Sequence, residues 1–427
     1  MPYDIADAPT DANRHFDVSI TSETDLLEHV LVHTPGAEME LVLPENRLEL
    51  LFDDILFLGH ARGEHDRMCE LFRKIVGRDD AVLQISALLR ETFRREDARH
   101  DFVEQICAVT QERNLTGFED ELKRLAPDEL FDFALTGRSP LPIYMVPLPN
   151  LIFTRDVAAV VHDHIVLSHP ATAARTRESL ILHAVLRYHP LFAPFRDRVI
   201  VLPEGVTFEG GDLLAPAPHC VLVGHSERTS FSGAMALAEE LFERTPVEHV
   251  LMVDLPKERY CMHLDTVITF ATEEECVVFP PIVGDEIMGK VVHYTRSDDP
   301  GRFYSEVRSG LKPMLESVLD RELTFIPCGG DDPLSQRREQ WTDGANLFAA
   351  APGVVIGYER NERTFDALRE RGYRIVSSQS FLSYYAESPF ELGDRVAIKL
   401  EGTELSRGRG GPRCMTMPFA RRGTEGA

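Results

Sequence analysis

Residues 209–225 read EGGDLLAPAPHCVLVGH, and the order of parts in this stretch decides the architecture. A short polar motif opens it, an apolar run follows, a turn reverses the chain, and a second apolar run ends at His225. Short aliphatic and β-branched runs bounded by turn residues are the pattern of strands. Three further stretches repeat the layout. Thr154-Arg155-Asp156 precedes VAAVV, HDH and IVLSH; His263-Leu264-Asp265 precedes TVITF, ATEEE and CVVFPPIV. The fourth is Trp341-Thr342-Asp343-Gly344-Ala345-Asn346, ahead of LFAAAPG and VVIGYERN.

Helix-patterned segments at 236–244 and 364–371 alternate with these β runs, which makes the fold α/β. Recurrence of one unit points to a propeller or another repeat architecture. If the units surround an axis, their polar motifs meet at one end of it and form one composite site. A fifth unit would join VLVHTPG, near Val30, to the C-terminal segment. Across 86–138 the pattern changes to helical spacing (ALLRETFRRE, DFVEQICAVTQERN, FEDELKRL), read as a helical insertion within a single domain spanning 1–427. Residues 1–17 are polar and acidic with no apolar stretch, so they are expected to be a flexible tail, not a secretory signal.

The 427 residues carry 70 acidic and 45 basic side chains, a net charge of −25, which argues against a nucleic-acid partner. No apolar run is long enough to span a membrane. Seven scattered cysteines with no C-x-x-C pair oppose a disulfide framework or a structural zinc site, and fit a reducing, cytoplasmic setting.

Cys414 differs from the other six cysteines by its surroundings, RGRGGPRCMTMP over 407–418. Glycines permit unusual backbone, and neighbouring arginines favour thiolate over thiol. A basic tail with an incidental cysteine has the same composition. His263 and Asp265, two apart on an expected strand, would share a face, and a histidine titrates near neutrality. An isolated H-x-D equally suits a satisfied core histidine beside a strand-end aspartate. Glu209 and Asp212 flank two glycines that allow close approach by a ligand, or simply form a turn with solvated acids. Asp156 follows Arg155, so a plain Arg–Asp pair competes with a binding role. No helix-borne ligand spacing or phosphate loop is present, and no cofactor or metal is expected. Together, several carboxylates, one histidine and one cysteine suit a planar cation attacked at carbon. Guanidinium keeps its charge at neutral pH and is gripped at its N–H edges by carboxylates.

These residues resemble the arginine deiminase family of the guanidino-group modifying superfamily. The likeness rests on VLVHTPGAEME, LPENRLELLFDD, NLIFTRD, FEGGD, MHLDTV, EQWTDGAN and ELSRGRGG-x-RCMTMP, in that order over nearly the whole chain. It implies a five-bladed, pseudo-symmetric α/β propeller of strand-strand-helix-strand units. It also implies hydrolysis of free L-arginine to L-citrulline and ammonia through a covalent thiouronium-type intermediate. In that reading Cys414 attacks, His263 moves protons, Glu209 and Asp265 stand near the chemistry, and Asp156 with Asp265 grips the guanidinium. Asn150, Phe153, Arg175, Arg228 and Arg409 would hold the amino-acid end, with Arg177 an alternative to Arg175; Asp212 joins the expected binding set. A homo-oligomer with only a small-molecule substrate is expected. Relatives that act on other guanidino compounds, amidinotransferases, and a non-catalytic arginine-binding protein on the same fold are the alternatives.

Overall fold

The computed structural model describes residues 16–109, 115–283, 290–299 and 302–423. β1 (Leu26–Val32) leads into the helix Leu58–Val76 and then β2 (Val82–Gln84), which lies parallel to β1. β3 (Ala158–Val161) and β4 (His164–Leu167) form an antiparallel pair; the helix Thr176–Tyr188 crosses, and β5 (Val199–Val201) lies parallel to β4. β6 (Leu213–Ala217), β7 (Cys220–His225), the helix Phe231–Arg244 and β8 (His249–Asp254) repeat that order. A parallel third strand needs a crossover of this kind, which is why each helix-patterned segment follows a hairpin.

The next unit is interrupted. β9 (Ile268–Phe270) and β10 (Glu275–Val278) form its hairpin, but β11 (Lys290–Arg296) and β12 (Phe303–Ser309) then join the preceding sheet beyond β8. Only after the helix Leu311–Leu319 does β13 (Thr324–Pro327) pair parallel to β10. β14 (Phe348–Ala351) and β15 (Val354–Tyr358) open the last full unit, with the helix Glu362–Glu370, β16 (Arg374–Ser377) and β17 (Val396–Leu400) behind them. Here β17 sits between β15 and β16, parallel to both. β18 (Met417–Arg422) pairs antiparallel with β1, joining the two ends of the chain. Among the described residues the result is five separate sheets in a mixed α/β fold.

Strand β7 shows why the apolar runs are continuous and not alternating. Val221 and Val223 enter one core with Leu237 and Leu241 of the following helix, while Cys220 and Leu222 enter another with Leu251 and Leu264. A strand covered on both faces needs apolar residues at every position.

Over the stretch expected to be helical, helices run at Ile85–Thr92, Glu96–Val109, Glu119–Lys123 and Pro127–Thr136. Pro127 opens the last of these, and Gly137 closes it with a left-handed φ of 70°. Leu89, Phe102, Ile106, Leu130 and Phe133 pack with Ile181, Leu182 and Val185. The expected tail, 1–17, falls outside the described residues as far as 15. Phe16 sits edge-on to Phe192, Phe195 and Phe419, so it belongs to the core side of that boundary.

A Cβ on Gly210 would lie 2.3 Å from the Arg155 carbonyl oxygen and 2.5 Å from that of Ala158, both backbone atoms that cannot swing away. Gly210→Ala is therefore expected to destabilise the protein by about 2–3 kcal/mol in chemical denaturation. A loss under about 0.5 kcal/mol, ordinary for a neutral site, would contradict this packing.

Candidate active site

One strand of each sheet (β3, β6, β9, β14 and β18) is preceded by the same four-residue turn. In each turn the fourth N–H donates to the first carbonyl: Asp156 to Phe153, Asp212 to Glu209, Thr266 to His263, Asn346 to Asp343, and Thr416 to Arg413, at 3.0–3.1 Å. The turns are tied to one another. Leu264 N donates to Asp212 Oδ1 (2.9 Å), Asn346 Nδ2 to the Asp265 carbonyl (3.0 Å), and Cys414 N to Asn346 Oδ1 (3.0 Å). Arg155 N donates to the Cys414 carbonyl at 3.1 Å. Gly211 closes the circuit: a Cβ there would come within 2.7 Å of both Asp156 Oδ1 and the His263 ring. Five sequence-distant motifs thus meet in one ring of turns. His263 and Asp265 are not on a strand, as the H-x-D spacing suggested. They occupy the first and third places of a turn and meet different neighbours.

His263 Nε2 bonds Glu209 Oε2 at 2.9 Å, and its Nδ1 lies 3.6 Å from Asp156 Oδ1. All three side chains are buried. Burial opposes charge on the imidazole, but Asp156, Glu209 and Asp212 outweigh it and raise the His263 pKa to about 9. Burial likewise works against charge on Glu209, yet the His263 hydrogen bond and Arg175 hold its carboxyl below the usual range. Asp156 is not paired with Arg155, whose Nε faces the Arg413 carbonyl. Its partner is Arg175, at 2.6 Å from Oδ2.

Cys414 is only 5% exposed. The adjacent cations are committed elsewhere: Arg413 bonds Asp265 Oδ2 and Glu23, Arg407 bonds Asp54 and Glu404, and Arg409 lies 3.5 Å over the Trp341 ring. The sulfur instead sits 3.9 Å from Asp265 Oδ2. Burial, then Asp265, Asp156 and Asp343, push the thiol well above its ordinary range. Arg409, the arginine of the R-G-R-G-G run that interacts with the sulfur, is outweighed by burial and these carboxylates.

Cys414, His263, Asp156, Asn150, Phe153, Arg175, Arg228 and Arg409 line one cavity of about 20 Å³. Glu209 and Asp265 stand directly behind His263 and Cys414. Asp212 is not among the lining residues: it accepts from Ser226 Oγ (2.6 Å) and Leu264 N, and burial raises its pKa to about 7. Arg177 reaches the carbonyls of Ala134 and Val146, so Arg175 is the arginine of the site. Its own donors meet Asp156, Glu178 and the carbonyls of Asn150 and Phe153.

Gly408 of the R-G-R-G-G run lines the cavity too, and Leu51, Arg259, Met262 and Thr266, which the sequence did not single out, complete the wall. Met262 and Thr266 adjoin expected residues, but nothing local marked Leu51 or Arg259. A wider hollow of about 380 Å³ outside shares Leu51, Arg228 and Arg259 with the inner cavity. Asp156, Glu209 and His263 bring ligand atoms within 4.8 Å of one another, as a metal would require. Arg175, with Nη1 at 2.6 and 3.5 Å from the two acids, and His263 at 2.9 Å from Glu209 already occupy the Asp156 Oδ2 and Glu209 Oε2 atoms that a metal would need. A buried thiol, an imidazolium and carboxylates around one cavity suit nucleophilic attack on carbon with proton transfer to a leaving nitrogen.

The sequence profile described as "Arginine deiminase" matches residues 48–132 and 118–421. An arginine deiminase of Listeria monocytogenes serotype 4a (strain HCC23) is 34% identical over 429 residues, covering 95% of this chain and 98% of that one. One from Bacillus thuringiensis subsp. konkukian (strain 97-27) is also 34% identical, over 433 residues, with the same coverage. Among solved structures, DDAH from Pseudomonas aeruginosa complexed with citrulline aligns at a TM-score of 0.50 and 15% identity. That alignment covers 92% of this chain and 100% of the other.

Proposed function

The chain belongs to the arginine deiminase family, and on that premise we propose how its site carries out the hydrolysis of L-arginine to L-citrulline and ammonia. The observation that carries the reading is a pair of buried oxygens, Asp156 Oδ1 and Asp265 Oδ1, that accept no hydrogen bond among the described residues. Leaving a carboxylate oxygen buried and unsatisfied is costly. The N–H edges of a guanidinium satisfy both, and its central carbon then meets Cys414.

In the proposed sequence the thiol releases its proton to solvent as the cation arrives, and the thiolate adds to the guanidinium carbon. His263 gives its proton to the departing nitrogen; the C–N bond breaks and ammonia leaves. The neutral imidazole next takes a proton from water, whose oxygen adds to the same carbon. The C–S bond breaks as the new hydroxyl loses its proton to solvent, where ammonia takes it up as ammonium, which frees neutral citrulline and restores thiolate and imidazolium. Glu209 holds His263 in place, and Arg175 positions Asp156. Arg228 and Arg259, which face both the cavity and the outer hollow, meet the substrate α-carboxylate beside Asn150, Phe153 and Arg409. A cavity of about 20 Å³ holds roughly one water, so the wall containing Leu51 must part to admit an amino acid.

Two measurements test this. Arginine should give citrulline and ammonia with no added amine. Agmatine, which lacks the carboxylate and leaves the arginines unpaired, should fall at least ~100-fold in kcat/KM. Equal turnover of agmatine would contradict the carboxylate assignment, and a requirement for an amine acceptor would mean amidino transfer. Ultraviolet titration of the Cys414 thiolate should show a high pKa in the free protein and a lower one with an unreactive guanidinium analogue bound, because the ligand's charge offsets Asp156 and Asp265. The same low value in both states would rule out substrate-assisted ionisation.

The reading extends to the whole chain. The five sheets, each entered from one ring of turns, are taken as five blades about a pseudo-symmetry axis in a single domain, with 86–138 as an insertion. Seven unpaired cysteines suit a reducing cytoplasm, and the chain is taken to work as a homo-oligomer.

A further inference from the structure

The sheet containing β6, β7, β8, β11 and β12 ends on an open side. β12 pairs along all seven of its residues with β11 and, among the described residues, has no strand beyond it. Six of the seven are exposed, among them Tyr304 at 68% and Val307 at 69%. An unpaired edge offers its N–H and C=O groups to any passing strand, and proteins usually blunt such edges with Pro, Lys, bulges or a very short length. β12 reads FYSEVRS: it has no Pro or Lys, keeps an unbroken register against β11, and its only charged side chains are one of each sign, Glu306 and Arg308.

Its sequence is also self-complementary. When β12 is laid antiparallel on a second copy about a two-fold axis through Val307, that residue faces itself and Glu306 faces the partner's Arg308. By symmetry Arg308 faces the partner's Glu306. An axis moved by one residue would set Glu306, or Arg308, against its own copy instead, which like-charge repulsion disfavours. Within one chain Glu306 and Arg308 already meet at 2.8 Å, so the partner extends an existing pair into a row of four alternating charges. Self-complementary patches are what two-fold interfaces require.

We propose that β12 is the edge through which two copies of this chain assemble, continuing each five-stranded sheet into its partner's across an axis at Val307. This gives the homo-oligomeric reading a surface and is independent of the chemistry in the cavity, which lies toward the β6 end of the sheet.

The test is the mass of the full chain by light scattering and sedimentation over a range of concentrations. Wild type should associate. Val307→Glu, which sets two like charges face to face, should weaken that step at least ~100-fold while arginine hydrolysis persists as a check on folding. Glu306→Arg should weaken it too, and the double variant Glu306→Arg with Arg308→Glu should restore it, because the swapped pair is again complementary. A wild type that stays monomeric overturns both the proposal and the homo-oligomeric reading. An oligomer indifferent to Val307→Glu, or a double variant that fails to recover, overturns the β12 interface alone.

Discussion

Replacing Cys414 with alanine is expected to lower citrulline formation by on the order of 10⁴-fold or more, with the fold intact. The ring of turns does not need the sulfur: the Cys414 N–H bond to Asn346 and the bond from Arg155 to its carbonyl are both backbone contacts. Trimming the side chain also removes a thiol whose ionisation Asp265, Asp156 and Asp343 oppose. Thermal or chemical unfolding should therefore shift by no more than about 1 kcal/mol, while mass spectrometry should trap a substrate adduct on the wild type and none on the variant. Undiminished turnover by the variant would end the covalent mechanism.

His263→Asn should damage both function and stability. Loss of the proton carrier should reduce kcat by ~10²- to 10⁴-fold. Glu209, fully buried, then loses its 2.9 Å partner but keeps Arg175 at 3.5 Å and Arg228 at 3.8 Å, so the lost charge-assisted hydrogen bond costs about 1.5–3 kcal/mol. The pH dependence separates this from simple damage. The folded-state pKa of His263, raised to about 9, lies above its ordinary value of about 6.5. Its stabilisation is then fully present below about pH 6.5 and lost as pH rises through about 9. Activity that needs the imidazolium should fall over the same alkaline window. In the variant, that part of the stability profile should flatten. A wild-type profile with no change near pH 9 would remove the imidazolium from the resting site.

Much of the site was legible because its residues come in short motifs, each ahead of a strand. T-R-D, E-G-G-D, H-L-D and W-T-D-G-A-N marked four of the five turns, the glycine-rich, cationic run 407–418 singled out Cys414, and the resemblance gave it the role of nucleophile. What escaped notice was that R-C-M-T is the fifth turn of the same kind. Its first place is held by Arg413, its third by Met415 and its last by Thr416, a type found at that place only in Thr266 of the His263 turn, so it lacks the acid that marks the other four. Arg259 and Leu51 escaped for a different reason. They reach the cavity through the fold, Arg259 by donating to the Leu51 carbonyl, and nothing in their own neighbourhood is unusual.

The electrostatics were the least legible. From the sequence, Arg407, Arg409 and Arg413 beside Cys414 suggested a readily ionised thiol. In the fold each guanidinium is drawn to an acid, an aromatic ring or a carbonyl contributed by another segment, and carboxylates from three other turns face the sulfur. Asp212 is a parallel case: an acid in a binding-like motif spends both oxygens on Ser226 and on the turn that carries His263.

Sequence alone determined the repeated strand pairs, the crossing helices, the helical stretch and the identity of the chemistry-bearing motifs, because periodicity and turn residues act over a few positions. Tertiary structure alone decided which atoms are neighbours, and so which acids are paired, which oxygens remain free, and which way each proton is held. Coulombic and desolvation energies depend on distances between residues that stand hundreds of positions apart, and a linear chain does not display them.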